Sequence, residues 1–239
     1  MVKFSGEDNG MKWIENRLYM ADLMVRMAHH STAIEGNSFT LGDARSILIN
    51  GIVPPKAKPI RELFEIANYK NFMPFLQENY QESIQYPLIQ KIHKILLQNL
   101  DTHAGQFKTA ENMILGAAFL PVHPSQVIPS LIQWCHNLAY RLNQAASPEE
   151  KVKILMDSHI HFEKIHPFSD GNGRTGRALI AFSCARENLI PIIFEKEQRR
   201  EYISLLNAED INGLTAMALN LQQKEHVRME RALQCLKNL

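Results

Sequence analysis

The run Ala178-Leu-Ile-Ala-Phe-Ser-Cys184 is apolar on nearly every side of a helix, so it must lie at the centre of whatever this chain folds into. Directly ahead of it stands His166-Pro-Phe-Ser-Asp-Gly-Asn-Gly-Arg-Thr-Gly-Arg177, which packs a base, a carboxylate, glycines and two arginines into one loop. That is equipment for handling a phosphate chain. Gly171-Asn172-Gly173 can turn backbone N–H groups inward around an anion, and a helix starting there adds its positive dipole end. Asp170 is a candidate Mg²⁺ ligand, and His166 is free to take a proton from a hydroxyl. Arg174 and Arg177, three apart, point the same way on the first helical turn and can fork onto phosphate oxygens.

These residues resemble the Fic family signature, His-x-Phe-x-Asp/Glu-Gly-Asn-Gly-Arg-x-x-Arg, with all its fixed positions filled. The resemblance implies a protein adenylyltransferase that moves AMP from ATP to a Tyr, Thr or Ser hydroxyl of a target protein. In that chemistry His166 is the base, Asp170 holds Mg²⁺, and Asn172 with the amides of Gly171 and Gly173 stabilises charge growing on the α-phosphoryl oxygens. Arg174 and Arg177 hold the β- and γ-phosphates, and Phe168 points into the core to fix the loop. ATP is the expected substrate. Many adenylylating relatives carry Ala-Asn-x-Gly-Asp after a tyrosine, whereas here Tyr202 is followed by Leu-Asn-Ala-Glu-Asp, with Glu209 at the place of the Asn. GTP, UTP and CTP therefore stay as alternatives.

Upstream, Ser31-Thr-Ala-Ile-Glu35-Gly36 resembles the family's inhibitory motif, Ser/Thr-x-x-x-Glu-Gly/Asn, in the N-terminally inhibited class. The implication is a two-pronged pair between Glu35 and Arg177 that takes the clamp from the γ-phosphate. Two other functions use the same residues. Glu35 can position a water for removing AMP from a modified protein, and a catalytically quiet nucleotide-binding regulatory module would keep the site without the chemistry. The intact His166 speaks against the quiet module.

Helical periodicity places further segments from Lys12 to Ala33, with Ile14, Leu18, Ala21, Val25 and Ala28 on one face, and from a Thr40 cap with Asp43 to Gly51. Others run from Pro59 to Leu76, Pro87 to Leu100, Ser125 to Leu142, and Ser147 to Lys164, where Ser147 and Glu150 form a capping box around Pro148. The remainder, Glu197 to Leu206 and Asn212 to Leu239, reads as helix too. Between Gly105 and Pro124 the period fails around Gly116, and this stretch resembles the family's β-hairpin flap, where a target segment is held by main-chain hydrogen bonds. Lys108 stands there where many relatives carry arginine. The expected fold is all-α, a Fic-type helical domain with a short β-hairpin flap beside the loop. It divides into an N-terminal segment with the inhibitory helix (residues 1–38) and a catalytic core with C-terminal helices (39–239).

Two rival readings share these residues. Gly171-Asn-Gly173-Arg-Thr-Gly176 fits the dinucleotide pattern G-x-G-x-x-G, with Glu195 about 20 residues on, but the pattern requires a strand where the Ser147 cap announces a helix. His159 and His161 with His29 and His30 could suggest zinc. An i, i+2 pair faces two ways on a helix, so packing or hydrogen bonding is expected instead. The long helix carrying His93 offers no obvious chemical site.

A net charge of +1, from 26 basic and 25 acidic residues, gives no pull toward nucleic acid or an anionic membrane. The start is polar, and the apolar run from Met113 to Val122 is too short to span a bilayer. Three widely spaced cysteines, Cys135, Cys184 and Cys235, fit a reducing compartment without a disulfide framework. A cytoplasmic protein is expected, with a protein substrate as partner and a homodimer left open.

Overall fold

The structure is a computed structural model that describes residues 13–55, 57–112 and 120–237, with side chains through Ala232. Among the described residues there are ten α-helices and no strand. None of these helices is long and apolar enough to cross a membrane.

The centre is a helix–loop–helix. Helix α7 (Pro148–Ile165) begins at Ser147, whose side chain accepts from the Glu150 N–H, with Pro148 at the first helical position. The Glu150 carboxylate reaches back one residue further than expected, to the Ala146 N–H at 2.8 Å. α7 ends where His166 turns left-handed, and after the loop α8 (Asn172–Arg186) runs buried without a break from Arg174 to Ala185. The all-apolar run thus occupies the middle of the molecule, as its lack of a polar face requires. α6 (Val127–Gln144) and α10 (Ile211–Lys237) pack on α7, and α5 (Tyr86–Leu96) packs on α8.

Most of the remaining helices gather around α1. α1 (Arg17–Ile34) packs on α2 (Leu41–Arg45), α3 (Ile60–Ala67), α4 (Tyr69–Asn79), α8 and α10. α2 starts with the expected capping box of Thr40 and Asp43 and continues as a π turn to Gly51, which takes φ 68°. α9 (Arg199–Asn207) precedes α10. The apolar side chains of all these layers form one core.

Three expectations need correction. The first helix starts at Arg17 after a short 3₁₀ turn, because the Asn16 side chain caps it by accepting from the Tyr19 N–H. Of its expected apolar face, Ile14, Val25 and Ala28 are buried and Ala21 is partly so, but Leu18 is 50% exposed, and Tyr19, Met20 and Leu23 are buried beside it. From Val25 onward α1 is enclosed by neighbours on most sides, so periodicity no longer marks one face. Even a charge is taken in: Arg26 forks onto Glu225 of α10 at 2.6 and 2.7 Å, and the Tyr19 hydroxyl donates to the same carboxylate at 2.6 Å.

The single helix expected from Pro59 to Leu76 is two, broken at Asn68. The Asn68 amide donates to the carbonyls of Leu96 and Gln98 at 2.9 and 2.8 Å, which ties the break to the end of α5. For the flap, the described parts of 105–124 hold turns and extended chain without a strand, and its centre, residues 113–119 with Gly116, lies outside the described residues.

Candidate active site

The end of α7 delivers His166 in a left-handed conformation (φ 48°, ψ 61°), its N–H closing the helix on the Phe162 carbonyl at 3.0 Å. A non-glycine residue held this way is uncommon, and here the turn swings the chain from helix into loop. His166 Nδ1 is buried and has no well-formed hydrogen bond, the nearby Glu163 backbone being the only group that favours its protonated form ahead of the distant Glu35 and Asp170 charges. Burial lowers the imidazole pKa to about 4, with the Lys108 charge acting in the same direction. The ring is therefore neutral near pH 7 and able to accept a proton.

The loop between His166 and α8 is braced from inside. Asn172, expected to face the phosphates, instead spends its side chain on the loop: Oδ1 accepts from the Phe168 N–H at 2.9 Å and Nδ2 donates to the Phe168 carbonyl at 2.8 Å. Phe168 is fully buried, as expected, and stacks on His93 with centroids 3.7 Å apart and planes 6° from parallel. His93 also fixes the backbone. Its Nδ1 accepts from the Gly105 N–H at 2.8 Å, which leaves Nε2–H to donate to the Asp170 carbonyl at 3.0 Å. A second strap comes from Lys108, whose N–H donates to the Pro167 carbonyl at 2.9 Å and whose ammonium holds Asn112. Asn112 in turn donates to the Phe168 carbonyl at 3.1 Å.

Gly171 caps α8 at φ 75°. A Cβ there would lie 2.5 Å from Leu97 Cδ2, so glycine is needed both for conformation and for the close approach of α5. The first N–H of α8 with a partner inside the helix is that of Thr175, on the Gly171 carbonyl at 3.0 Å. The N–H groups of residues 172, 173 and 174 stand ahead of the hydrogen-bond ladder, at the positive end of the helix dipole.

The two arginines do not share a target. Arg177 turns to α1, donating through Nε to the Ser31 hydroxyl at 3.0 Å and through Nη2 to the Ser31 carbonyl at 2.8 Å and Glu35 Oε1 at 2.6 Å. The Glu35 contact is one-pronged where two prongs were expected. Burial opposes the charge of Arg177, but the Glu35 carboxylate outweighs it and raises the pKa. Arg174 turns to α3 and the loop, reaching Glu65 Oε1 at 3.4 Å and Asp170 Oδ1 at 3.1 Å, while its buried Nε has no partner.

Glu35 is held in place by the end of its own helix. The N–H of Gly36, at φ 105°, bonds the Ala33 carbonyl and that of Asn37 bonds Thr32, a Schellman ending. Arg199 adds a bond from Nε to the Ile34 carbonyl at 2.5 Å. Glu35 Oε1 then lies over Gly173, where an added Cβ would come within 2.4 Å of it.

Asp170 is engaged by two guanidinium groups, those of Arg174 and of Arg61 from α3, and its Oδ1 accepts from the Gly171 N–H at 2.6 Å. Burial would raise its pKa, but Arg174 and Arg61 outweigh that and keep it ionised. Arg61 also reaches Glu65 at 3.2 Å, and Glu65 Oε2 accepts from the Asn37 amide at 2.9 Å. Sequence reasoning missed Arg61, Glu65 and His93, because each meets its partner across 77 to 109 residues of chain.

The histidines proposed for zinc part company. His159 is buried with Nε2 at 2.6 Å from the Tyr202 hydroxyl, whereas His161 is exposed beside Asp157. His29 and His30 pack against each other at 5.0 Å, with the Lys196 N–H donating to His30 Nδ1. Gly176, third glycine of the dinucleotide pattern, serves packing: a Cβ would lie 2.6 Å from Glu163 and 2.8 Å from His159. Helix α7, not a strand, precedes that pattern. Glu209, at the place expected near the base, pairs with Lys164 at 2.7 Å.

Against known proteins, residues 83–184 match the family model described as Fic/DOC family. Protein adenylyltransferase fic-1 of Caenorhabditis briggsae is 30% identical over 92% of this chain and 43% of its own length. Protein adenylyltransferase Fic of Drosophila virilis is 28% identical over 82% of this chain and 40% of its own. The chain thus spans less than half the length of these curated relatives. Among solved structures, Fic-1 from C. elegans superposes with a TM-score of 0.74 at 28% identity over 94% of this chain and 66% of that one. A Fic domain containing signaling protein from Bacteroides thetaiotaomicron, 19% identical, shares the fold with a TM-score of 0.76 over 95% of this chain and 94% of that one. The signature loop, the helices that present it and these likenesses agree, and the chain carries a Fic domain.

Proposed function

We propose that this protein transfers AMP from ATP to a hydroxyl side chain of a target protein and that Glu35 restrains the transfer. The observation that carries the reading is a neutral His166 at the lip of a helix N-terminus whose first N–H groups stand free of the ladder. The imidazole takes the proton of the target hydroxyl, whose oxygen attacks the α-phosphorus. The bond from that phosphorus to the α,β-bridging oxygen breaks, and pyrophosphate leaves. The N–H groups of residues 172 to 174 face the charge that develops on the phosphoryl oxygens, a contribution of about 3 kcal/mol per donor in comparable sites. The Asn172 side chain supports this indirectly, by holding the loop in shape.

Asp170 is suited to Mg²⁺. It is ionised, its side chain is half exposed, and hard cations of this kind are held by one or two carboxylates with the rest of the shell from phosphates and water. Among the described residues no group of three or more His, Cys, Asp or Glu side chains could hold a metal alone, so the ion would arrive with the nucleotide. It would neutralise charge across the α- and β-phosphates.

The Arg177–Glu35 contact supports restraint, since the cation meant for the terminal phosphate is already taken. The straps from Lys108 and Asn112 fasten the start of the flap to the loop, which supports target binding along residues 105–124. Buried free thiols at Cys135 and Cys184 fit a reducing cytoplasm.

Incorporation of α-labelled ATP with Mg²⁺ into a lysate and into the protein itself, for wild type, Glu35→Gly and Glu35→Gly with His166→Ala, tests this reading. Label is expected with Glu35→Gly and not with the double variant. No label from any of the three, with ATP still bound, would return the quiet module; release of AMP from a labelled protein by wild type without pyrophosphate would favour hydrolytic removal of AMP.

A further inference from the structure

Each guanidinium at the loop is matched by a carboxylate. Arg177 is held by Glu35, Arg174 by Glu65 and Asp170, and Arg61 by Asp170 and Glu65. These three guanidiniums are balanced by three carboxylates, with the Lys108 ammonium beside them, whereas a nucleoside triphosphate brings about four negative charges. A divalent cation on Asp170 would release the tips of Arg61 and Arg174 from that carboxylate, and withdrawal of Glu35 would release Arg177. Arg61 is the one set to follow the incoming charge. Its side chain is 50% exposed, against 3% for Arg174 and 7% for Arg177, so it can move without opening the core. It also starts at the edge of the phosphate turn, on the carboxylate beside Gly171.

We infer that Arg61 is a third nucleotide-binding guanidinium, parked on Asp170 in the free protein and transferred to the β- and γ-phosphates when the nucleotide enters. The inference rests on the nucleotide-transfer reading and extends the binding site to helix α3, outside the signature loop. Its Glu65 neighbour keeps the Arg61 stem aimed at the site while the tip exchanges partners. A bond from a guanidinium to phosphate is among the stronger charge-assisted hydrogen bonds, so its loss should be visible in affinity.

Calorimetric binding of ATP and of AMP to Glu35→Gly and to Glu35→Gly with Arg61→Ala decides this, each with Mg²⁺ and with EDTA. The expected result is a loss of ATP affinity of about 10-fold in the double variant, present with and without Mg²⁺, and little change for AMP, which lacks the outer phosphates. Arg61→Lys should recover part of the loss as a point charge. Equal ATP affinity in the two proteins overturns the inference alone. A loss that is the same for AMP, or that vanishes in EDTA, also overturns it and makes Arg61 a brace for Asp170. If Glu35→Gly itself binds no ATP, the nucleotide-transfer reading fails and the inference goes with it.

Discussion

Arg177, near the start of the central helix, meets Glu35, at the end of the first helix, at 2.6 Å, although 142 residues of chain separate them. Ser31 anchors the same guanidinium through its hydroxyl and carbonyl, so one helical turn supplies both a seat for the arginine and an acid to neutralise it. The Schellman ending at Gly36 and the Arg199 bond fix that turn, so Glu35 has little freedom to leave without movement of the helix end.

Replacing Glu35 by Gly should therefore raise the rate of AMP transfer. A misplacement of about 1 Å at the reacting centre slows chemistry on the order of 100-fold, which sets the scale of the expected gain. Stability should fall at the same time, because buried Arg177 loses its counter-ion and keeps only its bonds to Ser31, while the Schellman bonds, made by the backbone, remain. Initial rates with labelled ATP, beside melting temperatures, separate the two effects. An unchanged rate removes the inhibitory role of Glu35.

Activity should also be unusually tolerant of acid. An ordinary histidine near 6.5 would lose half its neutral form at that pH, whereas His166 is lowered to about 4. A base with a depressed pKa works above that value and fails as pH falls through it, so kcat/KM of Glu35→Gly should hold level down to about pH 5 and then decline. A midpoint near 6.5 would show that the imidazole is not desolvated as the structure has it.

Behind the site, Glu163 Oε1 and His159 Nδ1 are buried without hydrogen-bond partners and lie 3.9 Å apart. Burial pushes Glu163 up to about 8 from 4.5, so in that window the folded protein holds a proton that the unfolded chain releases. Stability must then fall as pH rises from about 4.5 to 8. Glu163→Gln, neutral throughout, should melt higher than wild type at pH 8 and show a smaller difference at pH 5. Equal shifts at both would mean the carboxyl is ionised in the folded state. His159, lowered to about 3 by burial, acts in the opposite sense and costs stability as pH falls below about 6.5.

Local chemistry is where the sequence was most legible. Ser147 with Pro148, Thr40 with Asp43, and Gly36 after Glu35 each signal a helix end through bonds made within a few residues, and each lies where its pattern put it. The order His166, Asp170, Gly171, Arg174, Arg177 likewise states which groups are carried on or beside the turn that opens α8. Partners brought from afar were not legible. Nothing next to Arg61 or His93 in the chain says that Asp170 will be there, and nothing in the Asn172 side chain distinguishes bracing a loop from binding an anion. The α1 pattern was incomplete for a related reason: it found Val25 and Ala28, but once a helix is enclosed on most sides burial stops following the 3.6-residue period, and Arg26 can be buried because Glu225 waits on α10.

The two glycines on either side of Asn172 should respond differently to alanine. Gly171 sits at φ 75°, and its Cβ would meet Leu97 Cδ2 at 2.5 Å and Cγ at 3.0 Å, inside the packed contact between α5 and the loop. Strain in the left-handed region and the clash add, so Gly171→Ala should cost about 1–3 kcal/mol and shift the loop that carries Asp170. Gly173 has helical φ, and its Cβ would meet only the tips of Glu35 and Arg177, at 2.4 and 3.0 Å. Part-exposed Glu35 can turn aside only by giving up its pairing to buried Arg177, a loss that the helix preference of alanine offsets in part, so Gly173→Ala should lose less stability than Gly171→Ala. Its further cost falls on the site, because the methyl covers the turn that faces the phosphates and displaces Glu35 from Arg177 together. Urea unfolding of both variants, beside ATP affinity, gives the comparison: a stable Gly173→Ala that binds ATP as well as wild type would place the phosphates away from this turn.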